Sequence, residues 1–341
     1  MSDRPALRRA PVIDVHAHAV LEVGPGAELG TSPDGTPFYR VGDYVLHGVR
    51  YAGTPFMDVD LRVAAMDEAG IDVQLLSPNP LTYFGRLEPG AAAAYARAHN
   101  DALAALAARY PARLLAAAQL PVQDVAASVA EARRAVRELG MAAVYLDTDP
   151  AGRTLDDPDL DPLYEALVEL DVPLFVHPSP LGPDGPPEDP RLRRFDLDLL
   201  LGFAHDETLA VAALVFGGVL DRHPGLDVCV SHGGGAAPFV AGRFARAVGK
   251  RAWAGDRLRE NGFEHYYRRL WFDTHVHDAD ALALLVARAG TGRLVFGTNF
   301  AGWDSGAHET PDLDPALLAA NAARLLRRKE WLPMTAPAPT A

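Results

Sequence analysis

Ile13-Asp14-Val15-His16-Ala17-His18 closes the first apolar run of the chain. Side chains two residues apart on a strand point to one side, so this run aims both imidazoles the same way. Two imidazoles on one face are half of a metal site. Outward from this run, short apolar stretches alternate with helical patterns along the whole length, the signature of a parallel βα architecture. Strands are expected at 12–15, 73–77, 113–120, 142–146, 172–177, 226–232, 269–274 and 293–298. Helices are expected between and after them at 59–69, 91–109, 124–139, 159–170, 207–221, 238–248, 279–289 and 315–328. Gly70, Gly140 and Gly290 stand where a left-handed helix terminus is wanted, and Asp124 and Asp278 stand where an N-cap is wanted. Eight such units predict one α/β domain over residues 11–330, a (β/α)8 barrel of the TIM type.

Two stretches break the rhythm. Residues 19–58 form a small insertion after the first strand, with hairpin-like alternation over 38–49, and residues 178–206 open on a proline- and glycine-rich loop. Both follow strand ends, where lids over active sites belong. Residues 333–341 are expected to form a disordered tail.

Composition narrows the chemistry. A formal net charge of -13 on 341 residues opposes nucleic acid and anionic membrane as partners and leaves small molecules. The longest charge-free apolar stretch, 209–220, is too short to span a bilayer, and no signal-peptide run follows Arg8-Arg9, so a cytoplasmic protein is expected. The single cysteine, Cys229, lies inside an apolar run and excludes an internal disulfide or a thiolate cluster. Lys250 and Lys329 are the only lysines, both in charged stretches, so Schiff-base catalysis has no candidate.

Placed on the expected strands, His16, His18, His177, His232 and Asn299 all fall at C-terminal ends, the face on which barrel active sites assemble. Three imidazoles suffice for a catalytic site of the zinc type with an open position. Tyr83, Phe84 and Trp303 are candidates to wall an apolar pocket for a planar substrate. His47, His99, His205, His223, His265 and His308 fit no such pattern and are expected at the surface or at helix caps.

The motifs Ile-Asp-Val-His-Ala-His, Leu-Phe-Val-His-Pro (174–178), Ser-His-Gly-Gly-Gly-Ala-Ala-Pro-Phe-Val-Ala-Gly-Arg (231–243), Phe-Asp-Thr-His-Val-His-Asp (272–278) and Phe-Gly-Thr-Asn-Phe (296–300) together resemble the amidohydrolase superfamily. The likeness is to its branch containing aminocarboxymuconate semialdehyde decarboxylase, and it implies a barrel of the metal-dependent hydrolase kind. It also implies one divalent metal, zinc, on His16, His18 and His177, with His232 as catalytic acid or base. Arg50 and Arg243 match the arginines that grip substrate carboxylates in the resembled decarboxylase, the second arriving from the partner subunit of a homodimer. Asp273, His277 and Asp304 are candidates to support the ligands from behind. The two-metal members carry a modified lysine at the end of strand four, where this chain has Asp147.

The chain departs from the pattern at Asn299, where the branch has a metal-binding aspartate. An amide offers a carbonyl oxygen to a metal but cannot act as a base at neutral pH. Hydrolysis, which needs a base for water, suffers most from that change; decarboxylation depends on an electron sink and on protonation of carbon. The expected activity is therefore a metal-dependent carbon–carbon lyase, a decarboxylase of a small unsaturated or aromatic carboxylate. The alternatives are a hydratase or hydrolase with an altered metal site, with Asp304 as a replacement carboxylate, and a metal-free descendant that only binds.

Overall fold

After β1 (Ile13–Ala19) the chain makes a small antiparallel sheet of β2 (Ala27–Thr31), β3 (Pro37–Val41) and β4 (Tyr44–His47), then returns beside β1 as β5 (Val73–Pro78). Six further parallel strands follow in chain order: β6 (Leu114–Ala118), β7 (Ala143–Asp147), β8 (Leu174–His177), β9 (Val228–Val230), β10 (Trp271–Asp273) and β11 (Leu294–Val295). Beyond β11, Val15 N–H donates to Phe296 O, Phe300 N–H donates to His16 O, and Ala17 pairs with Phe300 in parallel, which brings the last strand back to the first. The computed structural model describes residues 10–22, 27–41, 44–48, 52–179, 190–300, 302, 312–328 and 331.

The core has two layers. Ile13, Val15, Leu75, Tyr145, Phe175 and Trp271 fill the barrel interior. Residues of the opposite parity, among them Ala17, Leu76, Leu146, Val176 and Phe272, face the surrounding helices. Strands buried on both faces read as continuous apolar runs, which is why they stand out in the sequence. Cys229 lies in the interior layer and is buried, as its run predicts.

The helices are α1 (Val59–Ala69), α2 (Pro89–Ala107), α3 (Val125–Arg137), α4 (Asp161–Leu170), α5 (Phe203–Phe216), α6 (Val219–Arg222), α7 (Ala237–Val248), α8 (Asp256–Asn261), α9 (Phe263–Tyr267), α10 (Ala279–Ala289) and α11 (Pro315–Leu325). Asp124 and Asp278 cap α3 and α10 by accepting from Ala127 N–H and Ala281 N–H, and Gly70 ends α1 at φ 70°. Gly290 differs from expectation: its φ is 77° but its ψ is 160°, so the chain leaves α10 extended rather than left-handed.

The expected fifth helix is also revised. A five-residue π-helix, Asp198–Gly202, leads straight into α5, and Gly218 at φ 72° then separates α5 from α6. Its start escapes the amphipathic pattern because Leu200, Leu201 and Leu209 face outward, exposed, instead of polar residues. The run Asp198–Phe216 is thereby long and apolar enough to cross a membrane by length and composition, with Glu207, Val211 and Leu214 buried against the barrel. The short α8 and α9 meet at Gly262 and have no counterpart in the apolar periodicity.

Candidate functional site

The two histidines of β1 reach the barrel mouth by means of a β-bulge. Asp14 pairs with Gln74 and Ala17 with Leu76, so Val15 and His16 together oppose the single Leu75. Without the extra residue, strict alternation would keep Ile13, Val15 and Ala17 on the interior face and turn both histidines outward. With it, Val15 floors the interior, Ala17 joins the outer layer, and His16 and His18 both face the mouth. On β8, His177 lies two residues beyond the interior Phe175 and so faces the same way.

The rings of His16, His18 and His177 are mutually 4.9 Å apart between centroids. Each has its Nδ1 engaged from behind: His16 with Asp273 Oδ2 at 2.8 Å, His18 with Ser77 Oγ at 2.9 Å, His177 with Pro178 O at 2.6 Å. An Nδ1–H donor leaves the Nε2 lone pair for a ligand. The His16 and His18 Nε2 atoms stand 3.1 Å apart, close to the roughly 3.3 Å that bonds of about 2.0 Å at a tetrahedral angle would give. The His177 Nε2 is buried without a hydrogen-bond partner, an orphan that a cation would satisfy. Burial, followed by the His232 charge, pushes the His18 pKa down to about 3, and burial with the neighbouring imidazoles holds His177 well below its usual value. Neutral imidazoles are the form that binds metal, and these residues fit a divalent ion.

His232 joins the same cluster, its ring 4.9 Å from His16 and from His177, and the ligand nitrogens of His16, His177 and His232 lie within 4.8 Å of one another. It differs in setting. His232 adopts φ 45°, keeps 15% of its side chain exposed, and bonds through Nδ1 to Glu207 Oε1 at 2.6 Å. Glu207 is fully buried on α5, also accepts from the Ser231 hydroxyl, and has its pKa raised by burial against the opposing charge of His232. The Gly233-Gly234-Gly235 turn that follows is needed for its geometry: all three have positive φ, and a Cβ on Gly235 would sit 2.2 Å from Ala204 O. Gly297 permits another close approach, since a Cβ there would meet the His16 and Asp273 Cβ atoms at 2.9 Å.

Asn299 follows β11, buried, at φ 49°, a conformation asparagine tolerates, and its side chain lies beside His18. Asp273 supports His16 as expected, its buried carboxyl raised by the loss of solvent. His277 does not take the supporting place assigned to it. It is exposed and meets the ring of His275 at 4.9 Å; His275 is the residue beside the site, 5.6 Å from His232 and 5.9 Å from His16. Phe84 is a second correction: it is buried at φ 51° under the insertion, stacked on Tyr39 and edge-on to Tyr95, and packs rather than lining the pocket.

Tyr83 packs on the interior layer, close to Tyr145 and Asp147. Arg243 is exposed on α7, one turn after the exposed Phe239. Arg50, Trp303 and Asp304 lie outside the described residues, as does the tail at 333–341. His99, expected at the surface, is fully buried on α2. Sequence reading missed Glu207, whose signal is an acid in helical register with the buried Ala210, Val211 and Leu214. It also missed Phe203, whose ring lies 5.9 Å from His177 and 6.3 Å from His232, at the residue where the π-helix gives way to α5.

Comparison with known proteins agrees with this geometry. The chain is 32% identical over 244 residues to the 2-amino-3-carboxymuconate-6-semialdehyde decarboxylase of Dictyostelium discoideum, covering 71% of this chain and 66% of that protein, just under two thirds. The Caenorhabditis elegans protein of the same name is 28% identical over 357 residues, covering 86% of each. Among solved structures, an aspartate-to-asparagine variant of 5-carboxyvanillate decarboxylase from Novosphingobium aromaticivorans, with bound manganese and 3-methoxy-4-hydroxy-5-nitrobenzoic acid, superposes with a TM-score of 0.72 at 25% identity, covering 80% of this chain and 82% of the other. The family model described as Amidohydrolase matches residues 13–328, and the chain belongs to the amidohydrolase family.

Proposed function

We propose that this protein is a metal-dependent carboxy-lyase that removes carbon dioxide from a small unsaturated or aromatic carboxylic acid. The observation that carries the reading is the convergence of His16, His18, His177 and His232 at one barrel mouth, each with its Nδ1 tied back. His16, His18 and His177, 1–2% exposed, would hold the ion, and His232, more open and braced by Glu207, would serve as the acid or base. An all-imidazole donor set favours zinc, although the carboxyvanillate decarboxylase relative holds manganese. When bound, the ion supplies a Lewis acid that draws electrons from the substrate's oxygens.

The chain's own residues account for the remaining needs. Glu207 accepts the His232 Nδ1 hydrogen and so fixes the tautomer and the ring, leaving Nε2 for the reacting proton. As the carbon–carboxyl bond breaks, its electron pair stays on carbon and takes that proton. Asn299, beside His18, is suited to hydrogen-bond the substrate or to lend a weak carbonyl ligand. Phe203 forms an aromatic wall against which a planar acid can lie. Arg50 and Arg243 are assigned to the carboxylate, the latter across a homodimer.

The test pairs metal analysis of protein purified without added metal with a carbon dioxide assay over a panel of aromatic and dienoic acids. A stoichiometric transition metal, absent from His177→Ala, together with carbon dioxide release is expected. Conversion of an acid without carbon dioxide release would move the assignment to a hydratase or hydrolase. Protein that neither holds nor responds to metal would leave only a binding role.

A further inference from the structure

A bulge interrupts the ladder of its strand, and the backbone groups within it need other partners. Inside the β1 bulge, His16 N–H donates to Asp14 Oδ1 at 3.0 Å. Asp14 is fully buried and accepts further from Thr298 N–H on Oδ1 at 3.1 Å, and from Gln74 Nε2 and Thr298 Oγ1 on Oδ2 at 2.9 and 2.8 Å. Its acceptor capacity is then full. Behind it, Gln74 Oε1 accepts from Arg62 Nη1 at 3.1 Å, and Arg62 Nη2 donates to His18 O. Asp14 precedes the bulge and His18 follows it, so the chain from Asp14 through Gln74 to Arg62 braces the bulge from one end to the other. The guanidinium also lies 5.1 Å from the centre of the Phe300 ring. Thr298 and Phe300 flank Asn299, so the same network grips the chain on either side of that residue.

Arg62 is 1% exposed and reaches this place from α1. A guanidinium taken out of water is costly, and an apolar side chain of similar volume would pack α1 on the barrel without that cost. Both groups that accept from it are neutral, and one is the backbone of a site histidine, so these bonds set a position rather than cancel a charge. We propose that Arg62 is a positioning residue for the histidine pair. Acting through Gln74 and the His18 carbonyl, it holds the bulge in the form that sets the His16 and His18 Nε2 atoms 3.1 Å apart, and so raises affinity for the ion. The inference rests on the metal-dependent carboxy-lyase reading. A lysine in its place keeps the charge but lacks the planar fork that spans both acceptors while lying on Phe300.

The experiment titrates metal-stripped full-length protein with cobalt(II) against a competing chelator, follows the visible absorption of the bound ion, and measures stability by urea titration. Arg62→Lys and Gln74→Met are each expected to bind cobalt roughly tenfold or more weakly, with altered absorption bands, since the two imidazoles no longer stand at a fixed separation. Gln74→Met cuts the brace without touching Arg62 and decides the matter if Arg62→Lys does not fold. Arg134→Lys on α3, which disturbs ion pairs to Glu131 and Asp101, is the control, expected to lose stability while keeping cobalt affinity and spectrum. Cobalt bound by the folded Arg62 and Gln74 variants with wild-type affinity and bands, or an equal loss in Arg134→Lys, overturns the positioning role alone. Wild-type protein that binds no cobalt overturns the metal-dependent reading, and the positioning role with it.

Discussion

His177 condenses the case at the scale of single residues, because its environment makes sense only with something bound. It is 1% exposed, its Nδ1 is spent on Pro178 O, its Nε2 has no hydrogen-bond partner, and burial among other imidazoles keeps it neutral. A histidine whose folded pKa is depressed contributes its stability above the unfolded value of about 6.5 and loses it as pH falls below, since the unfolded chain then binds a proton that the fold refuses. One such group tilts stability by up to about 1.4 kcal/mol per pH unit. In metal-free protein, His177→Gln is therefore expected to flatten the fall of unfolding free energy between about pH 6 and 5 by roughly that slope, read from urea titrations. An unchanged slope would mean that His177 titrates normally in the fold and is not held for a ligand. At this scale the sequence was generous: strand-end position alone singled out His16, His18, His177, His232 and Asn299. It was silent on Glu207 and Phe203, because what makes them part of the site is a neighbour on a different element. It misplaced Phe84, whose ring turns under the insertion and packs on Tyr39 and Tyr95.

Among elements, apolar runs and caps located all eight barrel strands and most helices, since burial on both faces writes itself into composition. Local backbone devices left no such trace. The bulge in β1 is invisible in Ile-Asp-Val-His-Ala-His, yet it decides which way both histidines point. The π-helix before α5 is masked by leucines that face outward. The glycine turn after His232 is the exception, for three successive glycines announce a backbone that other residues cannot follow. Gly235→Ala tests how far that turn holds the site. The new methyl group would collide with Ala204 O at the head of α5, the helix that carries Glu207, while the backbone keeps a positive φ. A loss of about 1–3 kcal/mol in stability is expected, with a larger proportional loss in carbon dioxide release than in substrate binding as the Glu207–His232 contact is displaced. Gly242→Ala on α7, where a Cβ meets nothing within 4 Å, serves as the control. Equal behaviour of the two variants would show that the turn is not what sets His232 against Glu207.

For the molecule as a whole, the open question is what covers the outward side of α5 and α7. Leu200, Leu201 and Leu209 in the π-helix and α5, Phe195 just before them and Phe239 on α7 are each more than half exposed, and large apolar side chains left in solvent point to a contact surface. Arg243 lies one turn beyond Phe239 on the same face of α7, which is where the proposed homodimer requires it if it is to reach into a neighbouring mouth. Phe239→Asp is accordingly expected to weaken the dimer by on the order of 30-fold or more in sedimentation velocity, and to lower activity at protein concentrations where monomers prevail. Arg243→Ala should leave the dimer intact while abolishing grip on the carboxylate. Mixing Arg243→Ala with His177→Ala then separates the two possible origins of that arginine. If each site takes Arg243 from its partner, a mixed dimer contains one site with both an intact histidine cluster and an intact arginine, and random exchange restores roughly a quarter of the wild-type rate. If Arg243 serves its own chain, the mixed dimer pairs every good cluster with a lost arginine and no activity returns.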